Sequence, residues 1–169
     1  MSMQTRRPVA FLNLLAALLS LSLAGRLAAA DPELASGVAK GTFSQNGEAA
    51  VKLTNVAAFV DVKDDKKPTM IIISDKKLPT EKWTSEFDLM EAGDTAKFSG
   101  VIFWLDKDGN VFRCDTYWNG TPTSIGGYFT FKLDSKPGDK EIKGSAKNTS
   151  ATPAKDDPKL DVTFHATLQ

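Results

Sequence analysis

The chain has 169 residues, with 21 basic and 21 acidic side chains, one histidine and one cysteine. A balanced charge speaks against a nucleic-acid partner, because a basic surface supplies most of that affinity. A single cysteine excludes any intramolecular disulfide, so the fold must hold by burial alone.

In chain order, Arg6 and Arg7 form a positive opening, Val9 to Ala24 is uncharged and mostly apolar, and Ala28-Ala29-Ala30 precedes Asp31-Pro32. That order predicts a secretory signal peptide over residues 1–30 and export to the periplasm or the cell exterior. A retained N-terminal anchor is the alternative, since the apolar stretch is near the minimum length of a membrane span. Removing residues 1–30 takes away three arginines and no carboxylate, leaving 18 basic and 21 acidic residues in 31–169. A mildly acidic surface does not suit anionic lipid. No second apolar run of membrane length follows, so no membrane contact is expected after cleavage. Residues 31–169 suffice for a single domain with a real core.

Turn residues punctuate this part at short intervals: Gln45-Asn46-Gly47, Lys63 to Pro68, Asp106 to Asn110, Asn119 to Pro122 and Ser135 to Asp139. The segments between them are rich in Val, Ile, Phe, Thr and Trp, which predicts short strands. Strands are expected near Val38–Phe43, Ala49–Leu53, Ala57–Val62, Thr69–Ser74, Ala96–Leu105, Val111–Trp118, Tyr128–Leu133, Glu141–Lys147 and Leu160–Leu168. Thr69–Ser74 and Val101–Leu105 lack polar alternation and fit strands covered on both faces. Thr80 to Ser85 reads as a short helical turn, followed by a strand through Phe87 and Leu89. Asn148 to Lys159 reads as a long exposed loop. The expected fold is all-β and mainly antiparallel, a β-sandwich of about eight or nine strands, Ig-like or jelly-roll-like, over residues 31–169.

Chemistry is sparse. The only histidine, His165, alternates with Leu160, Val162, Phe164 and Ala166 and is expected to face solvent. A serine or cysteine nucleophile needs an adjacent base, and no catalytic residue is assigned. Asp106-Lys107-Asp108-Gly109-Asn110 resembles the start of an oxygen-ligand loop, but Tyr117 stands where the closing bidentate acid belongs. It is read as a hairpin turn, and no metal or cofactor is assigned. Cys114 is read as a buried apolar thiol; the sharper alternative is a thiol activated by Arg113 and free to form an intermolecular disulfide. Asn119-Gly120-Thr121 and Asn148-Thr149-Ser150 fit the glycosylation pattern but read as polar loops.

The aromatics mark the candidate site. Tyr117 and Trp118 end a strand, Asn119 opens a loop running to Gly127, and Tyr128 follows it. Tyr and Trp beside polar loop residues suit a protein partner or a glycan. Packing of these rings in the core is the competing reading.

The expected signal peptide, Gly41-Thr42-Phe43 with Gly47, the run Ile71 to Pro79, and Ile142-Lys143-Gly144 with Val162-Thr163-Phe164 resemble small exported bacterial β-sandwich proteins of uncharacterised function. The resemblance covers most of residues 31–169 and implies no catalytic residue. The expected function is therefore an exported non-catalytic binding module. The alternatives are an enzyme using carboxylate or metal chemistry, and an envelope protein that self-associates through a sheet edge.

Overall fold

The described residues form nine strands, most of them on alternating or continuous apolar runs: β1 (Val38–Ser44), β2 (Val51–Val60), β3 (Thr69–Ser74), β4 (Gly100–Leu105), β5 (Val111–Trp118), β6 (Thr121–Ile125), β7 (Phe129–Leu133), β8 (Glu141–Asn148) and β9 (Lys159–Thr167). The computed structural model describes residues 33–169, so the expected signal peptide lies outside the described residues. One helix, α1 (Glu86–Ala96), interrupts the strands after a single 3-10 turn at Thr80–Lys82. It is too short and too polar to cross a membrane, as is every helix among the described residues.

All nine strands belong to one sheet in the order β6-β5-β4-β3-β2-β1-β9-β8-β7, and every neighbouring pair is antiparallel. The antiparallel all-β expectation holds at that level. Two separate sheets are not what forms: the chain makes a meander, and β1 pairs with β9 to join its two halves. The sheet curls strongly, because inner-face rings from distant strands meet. Phe103 on β4 lies 4.7 Å from Phe131 on β7, and Phe131 lies 5.8 Å from Phe164 on β9, centroid to centroid.

The inner face carries one core, with Phe43, Leu53, Ile71, Ile73, Val101, Phe103, Val162 and Phe164 buried in it. The outer face of β2 to β5 carries a second, where Leu78, Leu89 and Phe98 from the α1 segment cover Phe59, Met70, Ile72, Ile102 and Trp104. All of β4 is therefore buried, as is β3 from Met70 to Ser74, in accord with their unbroken apolar sequences. Each fully buried aliphatic side chain contributes roughly 1.5–3 kcal/mol.

Three local expectations are corrected. The two strands expected over Ala49–Leu53 and Ala57–Val62 are one continuous strand, β2, paired on both sides. The strand expected after Ser85 is α1. The Asp88 carboxylate accepts the N–H groups of Thr84 at 2.8 Å and Ser85 at 3.0 Å, and buried Asp61 accepts the Glu86 N–H at 2.8 Å. These carboxylates satisfy donors at the helix entrance, which decides helix over strand. Residues 121–125, read as loop, form β6. Asn119 and Gly120 both have positive φ, 49° and 87°, and make the two-residue turn that folds β6 back on β5.

Candidate functional site

The sheet leaves one seam open, and the reason is strand direction combined with a short connection. Eight successive antiparallel pairs separate β6 from β7, so these two edge strands run in the same direction. They are joined only by Gly126, Gly127 and Tyr128. Parallel neighbours need a crossover of about a dozen residues or more. The chain instead steps from one side of the seam to the other: β6 pairs with β5, and β7 pairs with β8.

That step opens a cleft. β6 pairs with β5 only from Cys114 to Trp118, leaving Val111 to Arg113 without a strand on that side. A register shift between β4 and β5 also leaves Phe112 without a partner on β4. Between this stretch and β7 lies a cleft of about 440 Å³. Its inner wall is Phe103, Phe131 and Leu133; Val111 and Phe112 form one bank, Phe129 the other, and Gly126 to Tyr128 close one end. At the other end a side chain on Gly109 would press on Pro137, so the Asp106–Asn110 turn sits close against the loop after β7. Two large side chains stand exposed at the rim, Phe112 at 54% and Tyr128 at 41%.

Charge in the cleft wall is already paired. Arg113 is the one charged lining residue, and its guanidinium binds Glu86 at 2.8 Å and Asp115 at 2.6 Å while lying 4.2 Å above the Trp104 ring. Asp115 is buried, with Oδ1 lacking a hydrogen-bond partner among the described residues. Cys114 also lines the cleft, and burial, with Asp115 nearby, pushes its thiol up to about 12. Activation of this thiol by Arg113 is thereby corrected: the arginine faces Trp104 on the outer side, and Cys114 packs against the inner core.

The residues expected to bind are not brought to one surface. Trp118 is half-buried on the inner side, edge-on to Phe43 at 5.7 Å. Tyr117 is 5% exposed on the opposite face and stacks on Phe98 at 4.7 Å; it reaches a shallower hollow between α1 and the β5–β6 turn. Asn119 occupies that turn. Tyr128 alone lines the seam cleft. Sequence reasoning does not single out Phe103, Phe112 or Phe131, and it includes the Gly126-Gly127 step only as the end of the Asn119–Gly127 loop. A glycine pair between two short strands was the available signal.

Elsewhere, polar groups are committed to structure. The Asp106 carboxylate accepts the N–H groups of Asp108 and Asn110, both at 2.9 Å, which ties the hairpin turn together. Asn148 spans the base of the long loop, donating to the Pro158 carbonyl and accepting the Leu160 N–H, both at 2.8 Å. His165 is only partly solvated, with 14% of its side chain exposed. Its Nδ1 lies 2.6 Å from the Leu34 carbonyl and its Nε2 lies 2.8 Å from Glu141. Comparison with known protein families, curated proteins and solved structures gives no match to this chain.

Proposed function

We propose that this chain is an exported, non-catalytic binding module that holds an apolar group of its ligand in the seam cleft. The carrying observation is the cleft itself: an aromatic-walled hollow of about 440 Å³ at the one place where the sheet leaves a gap between its ends. Ligand sites are hollows of roughly this size; here apolar side chains form the wall and backbone groups supply polar atoms among them. Two exposed aromatic side chains at its rim supply area at little conformational cost. The chain's reactive side chains favour binding over turnover. Both nitrogens of the lone histidine are engaged, and the lone thiol is held in its neutral form. Export rests on the Arg6-Arg7, apolar and Ala28-Ala29-Ala30 order, and N-terminal sequencing of secreted protein is expected to start at Asp31.

An uncharged, environment-sensitive dye tests the cleft. Nile red is expected to brighten on titration and to saturate. Val111→Phe, which fills the cleft from β5, and Tyr128→Ala, which strips its rim, are each expected to weaken binding by about tenfold, equivalent to about 1.4 kcal/mol. Circular dichroism checks that both variants fold. Saturable binding that ignores both changes would remove the cleft as the site.

A further inference from the structure

We propose that the seam cleft is a strand-addition site, which takes an extended, uncharged segment of another polypeptide along the open edge of β7. This rests on reading the cleft as the binding site and names what enters it. The hydrogen-bond register carries the argument. The Thr149 N–H donates to the Tyr128 carbonyl at 2.9 Å, and the Asp134 N–H donates to the Lys143 carbonyl at 2.8 Å. Alternation along a strand then turns the peptide groups of residues 128, 130, 132 and 134 toward β8. The N–H and C=O groups of Phe129, Phe131 and Leu133 face the other way, into the cleft, where no strand pairs with them. Their side chains meanwhile pack on the inner core.

A row of peptide donors and acceptors above an apolar wall is the combination that edge-strand recognition uses. Main-chain bonds supply affinity, and alternate side chains enter pockets. The far bank fits the same occupant, because Phe112 has no partner on either neighbouring strand. The charge pattern fixes the occupant's chemistry. Arg113 is already ion-paired through Nη2 to Glu86 and Asp115 and lies over Trp104 on the outer side, so the wall offers no unpaired charge. A charged side chain turned inward would be desolvated without a partner. Inward positions of the entering segment are therefore apolar, and an uncharged backbone with small β-formers matches both edge and wall.

The probe is an acetylated, amidated pentapeptide alternating threonine and valine, with a fully N-methylated copy as control. Amide exchange is followed by NMR on the folded protein at fixed concentration. Strand addition predicts that exchange at Phe129, Phe131 and Leu133 slows by about tenfold or more with the peptide, and that the N-methylated copy, lacking its donors, gives no such protection. If the methylated copy protects equally, or the peptide displaces Nile red without protecting these amides, strand addition is wrong while the binding-module reading stands. If neither peptide nor Nile red binds, both readings fall. If protection grows with protein concentration alone, the occupant is a second copy of this chain, and the foreign segment is wrong.

Discussion

The middle of the sheet and its seam are both built from short antiparallel strands and end in opposite states. β3 and β4 are paired on both edges, packed on both faces, and closed to solvent by the segment around α1. β6 and β7 are paired on one edge each, and β6 is exposed from Thr121 to Ser124. The difference begins in sequence, with Thr69-Met70-Ile71-Ile72-Ile73-Ser74 set against Thr121-Pro122-Thr123-Ser124-Ile125. Pro122 lacks an N–H for a second neighbour, which suits an edge. Stability is concentrated where coverage is complete, and unmet hydrogen-bonding capacity collects where the short β6–β7 step leaves two parallel edges unpaired. The seam is where a partner has something to gain.

The contrast breaks most visibly in the covered region. Phe98→Ala, which empties a fully buried position under α1, is expected to cost about 3–5 kcal/mol in urea unfolding, whereas Phe112→Ala at the seam should stay within about 0.5 kcal/mol. Equal costs would mean the seam is as firmly packed as the centre. Trp118→Ala lies between them. Its half-buried ring on Phe43 predicts a loss of about 2–3 kcal/mol, less than full burial gives. An unchanged melting midpoint would return Trp118 to the surface role its sequence position suggested.

Smaller effects sharpen the seam. Gly127 has φ of 76°, while neither it nor Gly126 has an obstacle where a Cβ would sit. Gly127→Ala is therefore expected to cost about 1 kcal/mol through backbone strain alone, with Gly126→Ala near neutral. Acid should loosen the described fold at three hydrogen-bonded carboxylates. Asp88 is held below the usual carboxylate range by the Thr84 N–H, Asp106 by the Asn110 N–H, and Glu141 by its hydrogen bond from His165. Depressed folded values mean that the stabilisation is complete above the ordinary carboxylate range, near pH 4, and disappears as pH falls through the lower folded values. Melting midpoints from pH 6 down to pH 2 check this, and Asp88→Asn should flatten part of the decline.

Much of the strand pattern was legible because burial on two faces leaves a mark in sequence. Thr69–Ser74 and Val111–Trp118 fall where their composition puts them. α1 was harder, because Trp83, Phe87 and Met90 fit helix spacing while Phe87 and Leu89 fit strand alternation. The deciding groups were Ser85 with Asp88, a local capping pattern, and Asp61, which approaches only through the fold. β6 has no apolar signature, and its existence follows from the Asn119-Gly120 turn. One curled sheet and two packed sheets both bury alternate residues, so alternation does not separate them. The cleft was illegible for a further reason: it arises from the number of strands and their directions, which no local window contains. Of the four aromatic and loop residues singled out, Tyr128 reaches it because it happens to lie on the step between β6 and β7.

The pairing of β1 with β9 has a consequence for the order of events as the chain folds. Most strand pairs here are neighbours in sequence and close short loops quickly. β1 and β9 lie at opposite ends of the described chain, and their seven-residue register forms only after the intervening hairpins have drawn those ends together. Until then β1 presents an unfinished edge on one side. The late step is a loop closure, slow by topology rather than by chemistry. A chain released before β9 exists lacks both the β8–β9 and the β1–β9 pairs, and leaves the edges of β1 and β8 open to other chains.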